Sequence, residues 1–154
     1  MRGTAYWFDE YAASHQNPAN KALHWVCVPL IVWSLIGLLW SLPAPGRAQL
    51  EYANWASYAV AAAVIYYAML SVPLALGILP LLAAMLLSVD ALSQLSRVPL
   101  WAVSAAVFAL AWVGQFIGHA IEGKRPSFFR DVQFLLIGPI WLLASVYRRA
   151  GIPY

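Results

Sequence analysis

The segment Ala22–Leu42, ALHWVCVPLIVWSLIGLLWSL, decides the fold class of this protein. It contains no Asp, Glu, Lys or Arg, and it matches the roughly 20 mostly apolar residues that a helix needs to cross a bilayer. The breaker-rich segment Pro43–Gly46 follows directly and ends the helical pattern. The sequence therefore predicts a membrane-spanning helix near the N-terminus.

Three later segments are also apolar over lengths that suit a bilayer, and each begins or ends beside a proline. They are Tyr52–Val72, Pro73–Val89 and Pro99–Ile121. The short polar stretch Asp90–Arg97 separates the last two. Because every segment is hydrophobic around its whole circumference, the pattern indicates lipid-facing or buried helices rather than amphipathic surface helices. The sequence thus predicts four spanning helices.

The last apolar stretch, Val132–Val146, is shorter and has Gly138-Pro139 at its centre. As a helix it would reach only about 22 Å, which is short of a hydrocarbon core of roughly 30 Å. We expect a proline-broken segment that either crosses with local thinning or enters and returns on the same side. A separate interfacial helix is predicted at roughly Tyr6–Ser14.

Composition places the whole chain in the membrane class. Of its 154 residues 63% are hydrophobic and 10% are charged, whereas soluble domains have about 45–50% and about 25%. The net charge of +3 contains no basic run, so membrane lipid is an expected partner and nucleic acid is not. We predict an all-α, polytopic helical membrane protein that forms one domain over residues 1–154.

Positive charge predicts the orientation of the helices. With four spans and a re-entrant last segment, seven Lys and Arg residues fall on the side of the N-terminus and two on the other side. The seven are Arg2, Lys21, Lys124, Arg125, Arg130, Arg148 and Arg149, and the two are Arg47 and Arg97. If the last segment crosses instead, the ratio is five to four. The positive-inside rule favours the first arrangement, with the N-terminus in the cytoplasm.

All three histidines of the chain fall on one face of the membrane in this topology. His15 and His24 flank the start of the first span, and His119 lies at the end of the fourth. The histidines played no part in deriving the topology, so their agreement is independent evidence for a shared site. Ionisable groups within membrane segments are functional by default.

Local spacing adds polar neighbours to these histidines. Asn17-Pro18 is typical of a helix start, with Asn17 as the N-cap. Asn20 and His24 are four residues apart in that helix and share a face. In the fourth span, the same reasoning groups Gln115, His119 and Glu122, and Gly118 permits close approach beside His119.

Three imidazoles with a nearby carboxylate suit a transition metal, and Fe(II), Zn and Mn are all compatible with these donors. The simpler interpretation of each histidine alone is a hydrogen-bonded residue at the membrane interface. Lys124 and Arg125 either determine topology or bind an anionic head group or carboxylate. Tyr11 either anchors the first helix at the interface or lines the entrance of a lipid site.

These residues resemble the motifs of the fatty-acid α-oxidation dioxygenases, the membrane 2-hydroxy fatty acid dioxygenases known from yeast and bacteria. The motifs are His15, Asn20 and His24 followed by Pro29-Leu30, then Gln115-Phe116-Ile117-Gly118-His119 with Glu122 and Pro126, and a weaker Gly138-Pro139-Ile140-Trp141. The resemblance covers about residues 4–147. The chain departs from the family pattern at Cys27, Ser127 and Ser145, which leaves its substrate open.

The resemblance implies an Fe(II)-dependent enzyme that uses O2 to convert a 2-hydroxy fatty acid into the acid one carbon shorter. It implies iron ligation by His15, His24 and His119. It also implies catalytic roles for Asn20, Gln115 and Glu122 around them. We further expect substrate binding by Arg125, Lys124 and Tyr11. The expected location is a bacterial inner membrane, with the site facing the cytoplasm.

Two other classes of function remain open from the residues alone. Three histidines suit zinc equally well, so a zinc-dependent membrane lipid hydrolase is an alternative. A non-catalytic scaffold or small transporter is the other. A transporter is expected to place its polar residues near the bilayer midplane at broken helices, whereas here they lie at one interface.

Overall fold

The protein folds into six helices in the computed structural model, which describes residues 3–44, 52–123 and 128–154. They are α1 Thr4–Ala12, α2 Pro18–Trp40, α3 Trp55–Leu70, α4 Val72–Leu95, α5 Leu100–Glu122 and α6 Phe128–Ala150. No β-strand occurs in these ranges. Helices α2, α4 and α5 are each long and apolar enough to cross a membrane. The all-α class and the membrane-compatible helices predicted from sequence are therefore confirmed.

Helix α3 is shorter than the span predicted at Tyr52–Val72. It begins after Asn54, whose side chain accepts a hydrogen bond from the backbone of Ser57. It has 16 residues, or about 24 Å of helix. Among the described residues three helices, rather than the predicted four, are both long and apolar enough to cross a membrane. The Asp90–Arg97 connection is also mostly helical, because α4 continues through Pro80 to Leu95.

Small residues bring α2 and α5 close together as an antiparallel pair. A Cβ atom at Gly37 would collide with the hydroxyl of Ser104, a residue that is completely buried. Nearer the other end of the pair, Gly114 leaves room for the buried thiol of Cys27. Glycine is needed at these positions because any side chain would push the two helix backbones apart.

Helix α6 corrects the prediction of a proline-broken segment. It is one continuous helix of 23 residues with Pro139 inside it. Proline removes one backbone donor but does not end a helix whose face is well packed. Ile137, Ile140 and Ala144 recur at helical spacing and are completely buried, so packing holds the helix together across the proline.

The two halves of α6 contact elements at the same end of the bundle. Helices α2 and α4 run parallel. Trp33 donates a hydrogen bond to Ser88, and Tyr52 packs against Trp40 at the end of α2 while it donates to Asp90 near the end of α4. The Tyr147 hydroxyl near the end of α6 donates to the carbonyl of Pro73, at the start of α4. In its first half, Phe134 packs against Tyr11 of α1. Helix α6 thus covers the end of the bundle at which α2 and α4 begin.

We expect Gly37→Val to destabilise the protein, because its side chain would force α2 away from Ser104. Overpacking of this kind costs about 1–3 kcal/mol. Thermal unfolding in detergent, followed by circular dichroism, measures the change. Ala61→Val adds comparable bulk on the exposed face of α3 and is the control. Equal melting temperatures for the two variants would contradict the close α2–α5 contact.

Candidate metal centre

The structure brings the three predicted histidines together at the covered end of the bundle. His15 lies in the connection between α1 and α2, His24 in the second turn of α2, and His119 in the last turn of α5. All three are buried, with exposed fractions of 3%, 2% and 8%. One ring nitrogen from each lies within 4.8 Å of the others. Residues distant in sequence thus converge on one point.

Backbone carbonyls fix the protonation of two of these rings. Nδ1 of His15 lies 2.6 Å from the carbonyl oxygen of Tyr11, and Nδ1 of His24 lies 2.9 Å from that of Asn20. A carbonyl oxygen can only accept, so Nδ1 carries the proton in each ring. In the neutral imidazole, Nε2 is then left with a lone pair, the form in which histidine binds a metal.

The two Nε2 atoms of His15 and His24 face each other at 2.8 Å. Burial lowers the pKa of His15 to about 4, so this ring is neutral near pH 7. Two lone pairs at this distance repel each other unless a proton or a cation lies between them. Two nitrogen ligands at about 2.1 Å from one ion are themselves about 3.0–3.4 Å apart, so the two rings would need to separate by only a few tenths of an ångström to bind one. The donor set therefore fits a metal ion.

Aromatic side chains hold His15 in place and separate the site from solvent. The ring of Tyr11 stacks on His15 with centroids 4.0 Å apart and planes inclined by 5°. Trp141 of α6 lies against both of these rings. Tyr11, predicted to bind substrate or to anchor the helix at the interface, is buried and lines the histidine cavity.

Glu122 binds the start of α2 rather than joining the histidine group. Its two carboxylate oxygens accept hydrogen bonds from the backbone N–H groups of Gln16 at 2.8 Å and Asn17 at 2.9 Å. The side-chain amide of Asn20 donates a third at 3.0 Å. A carboxylate is favoured at this position because a helix N-terminus presents free N–H groups and positive potential. Glu122 thereby ties the end of α5 to the loop that carries His15.

Asn17 and Asn20 support the same junction from α2. The predicted N-cap at Asn17 is confirmed, since its side chain accepts from the backbone of Ala19 at 2.9 Å. Asn20 is completely buried, and its side chain packs where Gly118 of α5 has no Cβ. A larger residue at position 118 would displace Asn20 from Glu122. These residues position the histidines through the backbone.

A cavity of about 40 Å3 adjoins the three imidazoles, enough room for an ion and a small ligand such as water. Gln115 lines it one turn before His119, and its buried Oε1 has no hydrogen-bond partner among the described residues. Trp112, which the sequence reasoning missed, also lines the cavity, and its buried Nε1 likewise has no described partner. Trp112 lies three residues before Gln115 on the same helix face, and this spacing could have predicted its place in the cavity.

Lys124 and Arg125, predicted to bind substrate, lie outside the described residues. The same holds for Pro126 and Ser127 of the second motif. The structure brings Tyr11 and Gln115 to the histidine cavity. It brings Asn20 and Glu122 together at the adjoining junction of α2 and α5. The two basic residues stay predictions.

Comparison with known proteins shows the family of this chain. The family model described as 2-hydroxy-palmitic acid dioxygenase Mpo1-like matches residues 1–150. The chain belongs to the Mpo1-like family. It is 28% identical over 146 residues to the 2-hydroxy-palmitic acid dioxygenase MPO1 of Saccharomyces cerevisiae, covering 92% of this chain and 78% of the yeast protein. No solved structure matches it significantly.

We expect Glu122→Gln to loosen the start of α2 in this Mpo1-like protein. The neutral side chain would have an NH2 group in place of one of the two accepting oxygens. Because Glu122 is only half-buried, the cost is about 0.5–1.5 kcal/mol. Hydrogen–deuterium exchange at Gln16 and Asn17 should accelerate, and the melting temperature should fall. Asp9→Asn removes the same charge at an exposed position of α1 and should leave both quantities unchanged. Unaltered exchange in Glu122→Gln would contradict the assignment.

Proposed function

We propose that this protein is an Fe(II)-dependent membrane dioxygenase that shortens 2-hydroxy fatty acids by one carbon. The observation that carries the proposal is the convergence of three buried imidazoles, two of them with Nε2 lone pairs that face each other. Membership of the Mpo1-like family and the name of the yeast relative support the substrate class.

The reaction balances without a further co-substrate. A 2-hydroxy acid and O2 give the acid one carbon shorter, CO2 and water. The bond between C1 and C2 breaks, C2 is oxidised to a carboxyl group, and the substrate supplies all four electrons that O2 accepts. No 2-oxoglutarate is therefore needed.

Iron would be held by His15, His24 and His119. When bound, it would supply the binding and activation of O2. The carbonyls of Tyr11 and Asn20 keep Nε2 of His15 and His24 unprotonated and directed at the shared point. Tyr11 and Trp141 exclude bulk water from the His15 ring.

Substrate recognition falls to polar groups near the imidazoles. Gln115 and Trp112 line the cavity and have N–H groups suited to the carboxylate or hydroxyl of the substrate. Lys124 and Arg125 follow α5 directly and would supply positive charge for the carboxylate. Glu122 and Asn20 act as positioning residues, because they fix the loop of His15 relative to α5.

We further propose that α2, α3, α4 and α5 cross the bilayer, with the metal site at the cytoplasmic face. Support comes from the three long apolar helices and from α6, which ends in Arg148 and Arg149 beside the elements of the site end. That placement agrees with the seven-to-two distribution of positive charge. A bacterial inner membrane remains a prediction from the motifs, and the curated relative is a yeast protein.

We expect the anaerobically purified protein to contain about one iron per chain, bound by its three histidines. His24→Ala and His119→Ala should each retain less than about a tenth of it, because two imidazoles bind far more weakly than three. Elemental analysis measures the metal. Gln94→Ala, at the opposite end of the bundle, is the control. Stoichiometric zinc would favour the hydrolase, and no metal would favour a non-catalytic scaffold.

We expect the iron-loaded protein to consume O2 with 2-hydroxyhexadecanoic acid and to form pentadecanoic acid. Label at C1 should appear as CO2, because that carbon is the one released. Hexadecanoic acid without the hydroxyl group is the control substrate and should be inert. Full activity in His119→Ala would contradict the proposed mechanism.

A further inference from the structure

A second cavity, of about 180 Å3, lies between α2, α4 and α6. The described side chains that line it are all hydrophobic, and none is ionisable. They include Val28 and Val32 of α2, Ile78 and Met85 of α4, and Leu142 and Leu143 of α6. Such a cavity accepts hydrocarbon and excludes a charged head group, whose unpaired burial is costly.

This apolar cavity adjoins the histidine cavity. Val28 lines both of them and lies one turn after His24 on the same face of α2. Helix α6 also borders both, with Leu135 in the first and Leu142 in the second. From His24 to Val32 the path along α2 is about 12 Å at 1.5 Å per residue. The histidine cavity and the apolar cavity therefore lie side by side, with Val28 between them.

The apolar cavity is bordered by residues that are accessible from outside the bundle. Trp25, Leu81 and Val146 each belong to its lining, and their exposed fractions are 39%, 46% and 44%. In a membrane these large hydrophobic side chains face lipid. An alkyl chain can thus enter sideways from the bilayer without passing through water.

We propose that this cavity binds the alkyl tail of the substrate while the 2-hydroxy acid head lies at the histidines. The inference rests on the proposed function and adds the location of the tail. Val32 and Met85 lie farthest from the histidines, at one level of the parallel helices α2 and α4, as the neighbouring Trp33–Ser88 hydrogen bond shows. These two side chains set the chain length that fits.

Val32→Phe and Met85→Trp test this assignment by filling the far end of the cavity. We expect KM for 2-hydroxyhexadecanoic acid to rise at least about tenfold, since lost hydrophobic contacts of this size give about 10–200-fold discrimination. KM for 2-hydroxyoctanoic acid, whose tail stops short of the filled end, should stay within about twofold. Val26→Phe makes the same substitution on α2 at a side chain that is 60% exposed and outside the lining, and should change neither value.

Binding of the same two acids to the metal-free protein, measured by calorimetry, separates the two hypotheses. If Val32→Phe weakens binding of the long acid but not of the short one, the tail site is supported, whether or not O2 is consumed. A lack of O2 consumption would overturn only the proposed function. An unchanged chain-length profile in both filled variants, with O2 uptake intact, overturns only the tail site. Loss of a co-purified phospholipid from Val32→Phe without any change in profile assigns the cavity to a structural lipid and also overturns it. Met85→Trp decides the outcome if Val32→Phe does not fold.

Discussion

The carboxylate of Glu122 holds together the elements on which the metal centre depends. It accepts two backbone N–H groups at the start of α2 and the amide of Asn20, so the last turn of α5 is tied to the loop before α2. His119 belongs to that last turn, and His15 directly precedes the first bonded residue. Among the described residues, no other hydrogen bond joins the loop of His15 to the last turn of α5. The arrangement places a carboxylate where the start of α2 presents backbone N–H groups and positive potential.

The same end of the bundle also keeps the imidazoles neutral and correctly oriented in an apolar environment. Carbonyl oxygens of Tyr11 and Asn20 take the Nδ1 protons, and burial disfavours the charged form of His15. Helix α6 completes the site by placing Trp141 against His15 and Tyr11. In the proposed function, this polar compartment receives the substrate head, and the adjoining apolar cavity receives its tail.

Sequence reasoning succeeded where the physical cause is local or periodic. The N-cap at Asn17 follows from residue type next to Pro18, and it is confirmed. The long apolar helices α2 and α5 follow from composition over a bilayer's length. It was wrong at Pro139, because a proline's local penalty was outweighed by the buried face of Ile137, Ile140 and Ala144, which only packing reveals. The start of α3 and the boundary between α3 and α4 also differ from the prediction, because the caps at Asn54 and Ser71 determine them rather than the hydrophobic pattern.

The sequence by itself determined the helical membrane class and the grouping of the three histidines toward one face. Both follow from hydrophobic length and from the alternation of helix direction, which do not require atomic contacts. Only the tertiary structure decided that Nε2 of His15 and His24 meet, that Glu122 binds backbone rather than the histidine cluster, and that Trp112 borders the site. It also decided that α6 covers the bundle end and encloses an apolar cavity beside the histidines. These features depend on distances between side chains of different helices, and such distances are set by packing, which no local pattern encodes.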